Sequence, residues 1–586
     1  MNSPPCLEPF EMLVARPLLV FLFALTALQS VLAENKKPNV LFISVDDLND
    51  WIGCLGGHPQ AKTPNLDRLA ASGVLFTNAH CPAPACNPSR GAILTGISPH
   101  DSGLYDNRQS MRERMPDAEL LPRHLSNHGY WSAGSGKLLH YFIDAESWDE
   151  YYPPKETEDP FPRTYYPKRR PVSLPRGGPW QYVETDWAAL ELTDEEFGGD
   201  WLVSKWISEQ LSRQHEDPFF LACGIYRPHE PWFVPKKYFE PFPLDEIQLP
   251  PGYLENDLED VPAAGKKLGP NRYFEHIQKQ GQWRQAIQGY LASIHFADAM
   301  LGRVLDALEN GPNRENTVVI LWSDHGWHLG EKQHWQKYTG WRVCTRVPLI
   351  IRVPAGTSGL PSGTDRGVRC NAPVNLLSLY PTVTELAGIP SKETSSGPSL
   401  VPLLQDPNAD WPHVSMTYLG RPGNYAVSAR RFRYIAYDNG DQELYDIEAD
   451  RHEWNNLAPD ATYAQTINDL KSHVPTEFAP YEIADIGSLP KLNWKPLDEN
   501  DAPVSYPTDK KLSVRFSNQS GQPVRVFVMS GDGKRQSYGV LETGWSKPNQ
   551  THPGSVWVIT DLDSKPLGYF TVGDEPAHAV IPAAPR

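Results

Sequence analysis

Two apolar runs constrain the fold of this chain more than any other feature. Val40-Leu41-Phe42-Ile43-Ser44-Val45 leads straight into Asp46-Asp47, and Thr317-Val318-Val319-Ile320-Leu321-Trp322 leads through Ser323 into Asp324-His325-Gly326. Runs of this length, rich in β-branched residues, predict interior strands of a parallel sheet buried on both faces. In open α/β sheets, ligand sites form beyond the carboxyl ends of such strands. Both runs therefore deliver carboxylates to the place where a site belongs. Two more segments repeat the pattern. Phe219–Ile225 is followed by Arg227-Pro228-His229, and Tyr130–Gly136 by Lys137 and His140.

Carboxylates gathered at one point repel each other unless a cation neutralises them. Oxygen-rich clusters favour hard cations, and calcium tolerates irregular coordination. The net charge of −17, from 54 Lys+Arg against 71 Asp+Glu, argues against general nucleic-acid binding, which needs a basic surface. It also means that an anionic substrate must be captured by a local cation cluster, against the overall field. With 586 residues the chain has room for a large core and an appendage.

Between the first of these strands and the other three lies Cys86-Asn87-Pro88-Ser89-Arg90-Gly91-Ala92-Ile93-Leu94-Thr95-Gly96. Pro88 suits the start of a helix, so Cys86 is expected at a helix entrance, where the dipole favours an anion. This stretch resembles the signature of type I sulfatases. Ser323-Asp324-His325-Gly326-Trp327, Leu329-Gly330-Glu331 and Trp335-Gln336-Lys337-Tyr338 are similar to iduronate-2-sulfatases within that family. The resemblance spans roughly residues 36 to 460.

The resemblance implies an α/β, alkaline-phosphatase-like fold: a large, mixed, mostly parallel sheet flanked by helices, with a small C-terminal α+β subdomain. It implies that Cys86 is converted to Cα-formylglycine by a formylglycine-generating enzyme, and that the aldehyde hydrate attacks sulfur and later expels sulfate by elimination. It assigns Asp46, Asp47, Asp324, His325 and the residue-86 oxygen to a calcium ion. His325 stands where many relatives carry Asn and is the unusual partner. Arg90 would hold the residue-86 oxygen, and Lys137 and Lys337 the sulfate oxygens. His140 would be the base of the elimination, and His229 the acid for the leaving oxygen. The implied activity is sulfate ester hydrolysis on sulfated saccharides. The alternatives are a formylglycine-dependent phosphodiesterase or phosphonate hydrolase, and a non-catalytic glycan-binding protein.

Arg16, the apolar run Pro17 to Ala27 and Val31-Leu32-Ala33 read as a signal peptide over residues 1–33, so a secreted or periplasmic protein without a stable membrane span is expected. The expected catalytic domain covers 34–410 and its C-terminal subdomain 411–489. Residues 490–509 read as a linker, and 510–586 as a β-sandwich. Val514-Arg515-Phe516-Ser517-Asn518-Gln519-Ser520, with Asp532-Gly533-Lys534 and Tyr538, resembles the β-domain of von Hippel–Lindau proteins. Seven cysteines are too few for a disulfide scaffold, though Cys54–Cys81 or Cys344–Cys370 could bridge. Lys168-Arg169-Arg170 is a candidate cleft-lining cluster, and His334 a candidate substrate contact. The apolar face of the helix expected from Gln285 to Glu309 reads as core, and Thr63 as the cap of a helix beginning at Pro64.

Overall fold

The apolar runs meet at the centre of one eight-stranded sheet. Its strands are β1 (Asn39–Val45), β2 (Val74–Phe76), β3 (Trp131–Gly136), β4 (Glu150–Tyr152), β5 (Phe219–Ile225), β6 (Thr317–Ser323), β7 (Leu349–Arg352) and β8 (Val368–Cys370). This computed structural model describes residues 37–583 apart from 158, 168–184, 483–487, 498–501, 509, 511, 542 and 545. The order across the sheet is β8-β2-β7-β6-β1-β5-β3-β4. β1 runs parallel to both β6 and β5, and β5 parallel to β3. β7 is antiparallel to β6 and β2, which makes the sheet mixed.

Every residue of β1, β5 and β6 is buried, which explains why these runs do not alternate with polar residues. Leu41, Ile43 and Val45 face one core with the helices Asp200–Leu211 and Trp283–Asn310. Val40 and Phe42 face the other, with α1 (Cys86–Thr95) and the helix Leu379–Leu386. The long helix thus extends slightly beyond its expected ends. Thr63 does precede the helix Pro64–Ala70, but it makes no side-chain cap; its hydroxyl instead accepts the Gly53 N–H at 2.8 Å.

A four-stranded antiparallel sheet, β9 (Ser415–Tyr418), β10 (Tyr425–Ser428), β11 (Phe432–Ala436) and β12 (Gln442–Asp446), follows with the helix Ala464–Lys471. The last strands are β13 (Lys495–Pro496), β14 (Leu512–Asn518), β15 (Val524–Met529), β16 (Arg535–Leu541), β17 (Ser546–Thr551), β18 (Val556–Thr560), β19 (Pro566–Thr571) and β20 (Ala577–Ile581). They form two sheets, β13-β19-β18-β15-β16 and β17-β14-β20, closed over Val514, Phe516, Trp557 and Phe570. Part of the stretch read as a linker is therefore an edge strand, a position that tolerates Pro496.

The six described cysteines are all free, which corrects both suggested bridges. Cys370 pairs with Phe76 at the edge of the large sheet, whereas Cys344 lies against the Gly326 carbonyl near its centre. Among the described residues no helix is long and apolar enough to cross a membrane. The leader and the Lys168-Arg169-Arg170 cluster lie outside the described residues.

Candidate active site

Four neighbouring parallel strands end at one level, and each is followed by polar residues. Val45 is paired with Ser323 on one side and Ile225 on the other, and Gly136 with Gly224. Asp46 and Asp47, Asp324 and His325, Arg227 to His229, and Lys137 to His140 therefore leave the sheet together. The Lys137 N–H bonds the Gly224 carbonyl at 3.1 Å. That approach requires glycine: a Cβ on Gly136, whose φ is +80°, would lie 2.0 Å from the Gly224 oxygen. Asp47 adopts φ 57°, the left-handed region, so its side chain turns back over the strand end. Its carbonyl accepts the Tyr290 hydroxyl at 2.7 Å, and its N–H bonds Asp324 Oδ1 at 3.2 Å.

α1 begins at Cys86 itself, two residues before the expected start, and all ten of its residues are buried. Its first turn is pinned to the strand ends. Ser89 Oγ donates to the Asp324 carbonyl at 2.6 Å. Arg90 donates to Asp324 Oδ2 at 2.8 Å, Asp46 Oδ1 at 3.2 Å, Ser44 Oγ at 3.2 Å and the Lys137 carbonyl at 2.5 Å. A fork of fixed N–H groups suits this task better than a lysine would.

Cys86 Sγ is the point on which the predicted residues converge. Lys337 Nζ is 3.0 Å away, His325 Nε2 3.3 Å, Lys137 Nζ 3.6 Å and Asp46 Oδ1 3.7 Å. Lys137 also bonds Asp46 Oδ2, and Lys337 bonds Asp47 Oδ1 at 2.8 Å. His229 stands beside this group, with Nε2 3.8 Å from Asp47 Oδ2 and Nδ1 2.7 Å from the Glu230 carbonyl oxygen. His140 lies near enough to Cys86 to feel its charge, and its buried Nδ1 has no hydrogen-bond partner.

A family model described as Sulfatase matches residues 38–389, across the whole large sheet and α1. This chain belongs to the sulfatase family. A second model, the C-terminal part of N-sulphoglucosamine sulphohydrolase, matches residues 330–478. Sulfatase relatives include one from Formosa agariphila, 39% identical over 78% of this chain and 89% of its own length. The iduronate 2-sulfatase of mouse is 30% identical over 80% of this chain and 88% of its own length. Among solved structures, the phosphonate monoester hydrolase of Agrobacterium radiobacter shares the fold with a TM-score of 0.60. It is 22% identical and covers 75% of this chain and 96% of its own. The fold is the alkaline-phosphatase-like one, and the chain is a sulfuric ester hydrolase.

The sulfatase pocket buries its charges almost completely, and its balance sets their protonation. Burial alone would raise the Cys86 thiol, but Lys137, Lys337 and His325 hold it well below its ordinary value. Burial also opposes Asp46, yet Lys137 and Arg90 keep it ionised. Asp324 goes the other way: burial, joined by the Asp46 charge, outweighs Arg90 and pushes it up to about 7. Burial pulls His140 down to about 4. Burial would do the same to His229, but Asp47 and Asp46 lift it to about 9.

Ligand atoms of Asp46, Cys86, Asp324 and His325 lie within 4.8 Å of one another, as do those of Asp46, Asp47, Cys86 and His229. Asp47 Oδ2 is buried without a hydrogen bond. Carboxylate oxygens in this density, one of them unsatisfied, fit a hard divalent cation. His229 lies within the second of these groups, but the proton that Asp47 and Asp46 favour on it suits an acid and not a metal ligand.

Several contributors were missed. The rings of Tyr141 and Tyr226 lie 4.9 and 5.3 Å from Lys137 Nζ. Their signal was adjacency: one follows His140, and the other follows the end of β5. Tyr290, read as core, reaches the Asp47 backbone from the long helix. His334 faces the Leu268 and Lys337 carbonyls at 2.6 and 2.9 Å, so it braces the lysine loop.

Proposed function

We propose that this sulfatase is a secreted or periplasmic enzyme that removes sulfate from sulfated saccharides, in the manner of iduronate-2-sulfatases. The observation that carries this reading is the convergence of two lysine ammonium groups on one side chain, Cys86, at 3.0 and 3.6 Å. Two fixed cations around one reacting atom suit an oxyanion-rich sulfonyl group, whose charge grows in the transition state. The 30% identity with mouse iduronate 2-sulfatase supports the saccharide class.

Cα-formylglycine formed from Cys86 would supply the nucleophilic oxygen, and a calcium ion held by Asp46, Asp47, Asp324, His325 and residue 86 would supply concentrated positive charge. The side chains do the rest. Arg90 keeps residue 86 and two carboxylates in register. Lys137 and Lys337 bind the sulfate oxygens. His229, carrying a proton at Nε2, gives it to the leaving sugar oxygen. His140, kept neutral by burial, takes the proton whose loss releases sulfate. The two imidazoles have environments that push them in opposite directions, as an acid and a base require.

The test is turnover of defined sulfated saccharides by protein co-produced with a formylglycine-generating enzyme, with mass spectrometry of the peptide across residue 86. Sulfate release that tracks thiol-to-aldehyde conversion, is lost on chelation and returns with calcium is the expected result. Release by the unconverted thiol, or indifference to chelation, overturns it. The likeness in fold to a phosphonate hydrolase makes an aryl phosphonate the control substrate; faster turnover of it would favour that second reading.

A further inference from the structure

We infer that the C-terminal β-sandwich buttresses the substrate-facing wall of the catalytic pocket, through a contact between Gly539 on β16 and Asp159. This rests on the saccharide reading above and adds a positioning contact to it.

The wall is a triangle of rings. Phe161 lies 5.3 Å from Tyr141 and 5.2 Å from Tyr226. Tyr141 packs on His140 at 4.5 Å and Tyr226 on His229 at 4.7 Å, and both flank Lys137. Phe161, Tyr141, Tyr226 and His140 are all only half-buried, unlike the fully enclosed Cys86 and Lys137. They form the partly exposed side of the group around Cys86, the side that the proposed reading gives to the alcohol part of a sulfate ester.

Phe161 has no regular element of its own to hold it. Its N–H is fixed by Asp159 Oδ1 at 3.1 Å, and the preceding turn is Lys155–Thr157. The β-sandwich leans on this segment. Gln536 Nε2 donates to the Glu156 carbonyl at 2.6 Å. Gly539 has φ +90°, and a Cβ there would lie 2.4 Å from Asp159 Oδ2. Burial raises the Asp159 carboxyl, with the charge of Lys547 on β17 opposing it in part. A φ of +90° favours glycine there, and any added Cβ would push the Asp159 carboxylate out of its place. The chain of contacts runs from β16 to Asp159, to Phe161, to the two tyrosines, and ends on three proposed catalytic side chains.

The test uses the full chain carrying Gln536→Ala, Gly539→Ala, and Gly539→Ala combined with Asp159→Ala. Hydrogen–deuterium exchange is followed at residues 155–161. kcat and KM are measured on an aryl sulfate and on a sulfated oligosaccharide. Gln536→Ala and Gly539→Ala should speed exchange at 155–161 and leave 86–96 unchanged. KM for the oligosaccharide should rise about tenfold, the scale of a displaced positioning contact, with aryl sulfate kcat within about twofold. In the double variant the clash with the carboxylate is gone while the strain of alanine at φ +90° remains, so KM should fall part of the way back toward that of Asp159→Ala alone. Unchanged exchange and KM in both single variants overturn the inference. So does an equal loss on both substrates with a lowered Tm, which would mean general destabilisation. Should Gly539→Ala fail to fold, Gln536→Ala decides. If the unaltered chain turns over no saccharide, the functional reading has failed, and the exchange measurement still decides the contact.

Discussion

Around Cys86, the side chains of Arg90, Lys137, Asp46, Asp324 and His325 are removed from water entirely, whereas the β-sandwich encloses Val514, Phe516, Trp557 and Phe570. Both interiors are closed, but for different reasons. In the sandwich, burial is itself the driving force, at roughly 1.5–3 kcal/mol for each large apolar side chain. In the pocket, burial costs free energy for every charge, and only the partner charges and hydrogen bonds offset it. Removing a sandwich residue should leave a hole. Removing a pocket residue should leave an unanswered charge.

That contrast can be broken at four points. The largest effect is expected for Cys86→Ala, which should lower kcat by about 10⁴-fold or more, as loss of a nucleophile does. Its Tm should hardly move, and a large drop would mean that the sulfur is structural. Arg90→Ala should come next, because it strands Asp46 and Asp324; a loss of about 3–5 kcal/mol in urea denaturation is expected. If the loss is under about 1 kcal/mol, the pocket charges are not interdependent. Trp557→Ala should cost the sandwich a similar about 3–5 kcal/mol, by the different route of a cavity. Aryl sulfate turnover should survive it within about twofold, since additivity holds for distant sites. The smallest effect is expected for Tyr290→Phe, about 1 kcal/mol from the bond to the Asp47 carbonyl. Lost activity without lost stability there would show that the left-handed turn at Asp47 depends on that hydroxyl.

The strand ends were legible because an uninterrupted apolar run that stops at a carboxylate has few other meanings. The positions of Asp46, Asp324, His229 and Lys137 on adjacent strands follow from that pattern. Lys337 was legible only through its motif. It sits in an irregular loop where Gln336 and Tyr338 have φ of 85° and 75°, and no periodicity marks such a place. Tyr290 was not legible, because a tyrosine at core spacing on a helix has the same pattern whether or not its hydroxyl has a partner. The contact of Gly539 with Asp159 was hidden for a similar reason. It depends on a surface fit between segments 380 positions apart, the separation of the neighbouring Gln536–Glu156 bond. The proline-rich stretch before the sandwich read as a spacer, because an edge strand of two residues leaves almost no alternation to see.

Cys86 has no exposed surface, and the first turn of its helix is tied through Ser89 to the Asp324 carbonyl, 235 positions away in sequence. A second macromolecule has no path to that sulfur in the finished fold. Any enzyme that rewrites the side chain must work while the nascent polypeptide is still open, before β6 zips against β1. Under the conversion of Cys86 proposed above, timing during synthesis would govern the yield of competent molecules, and unfolding and refolding purified protein afterwards would return whichever side chain each copy already carried.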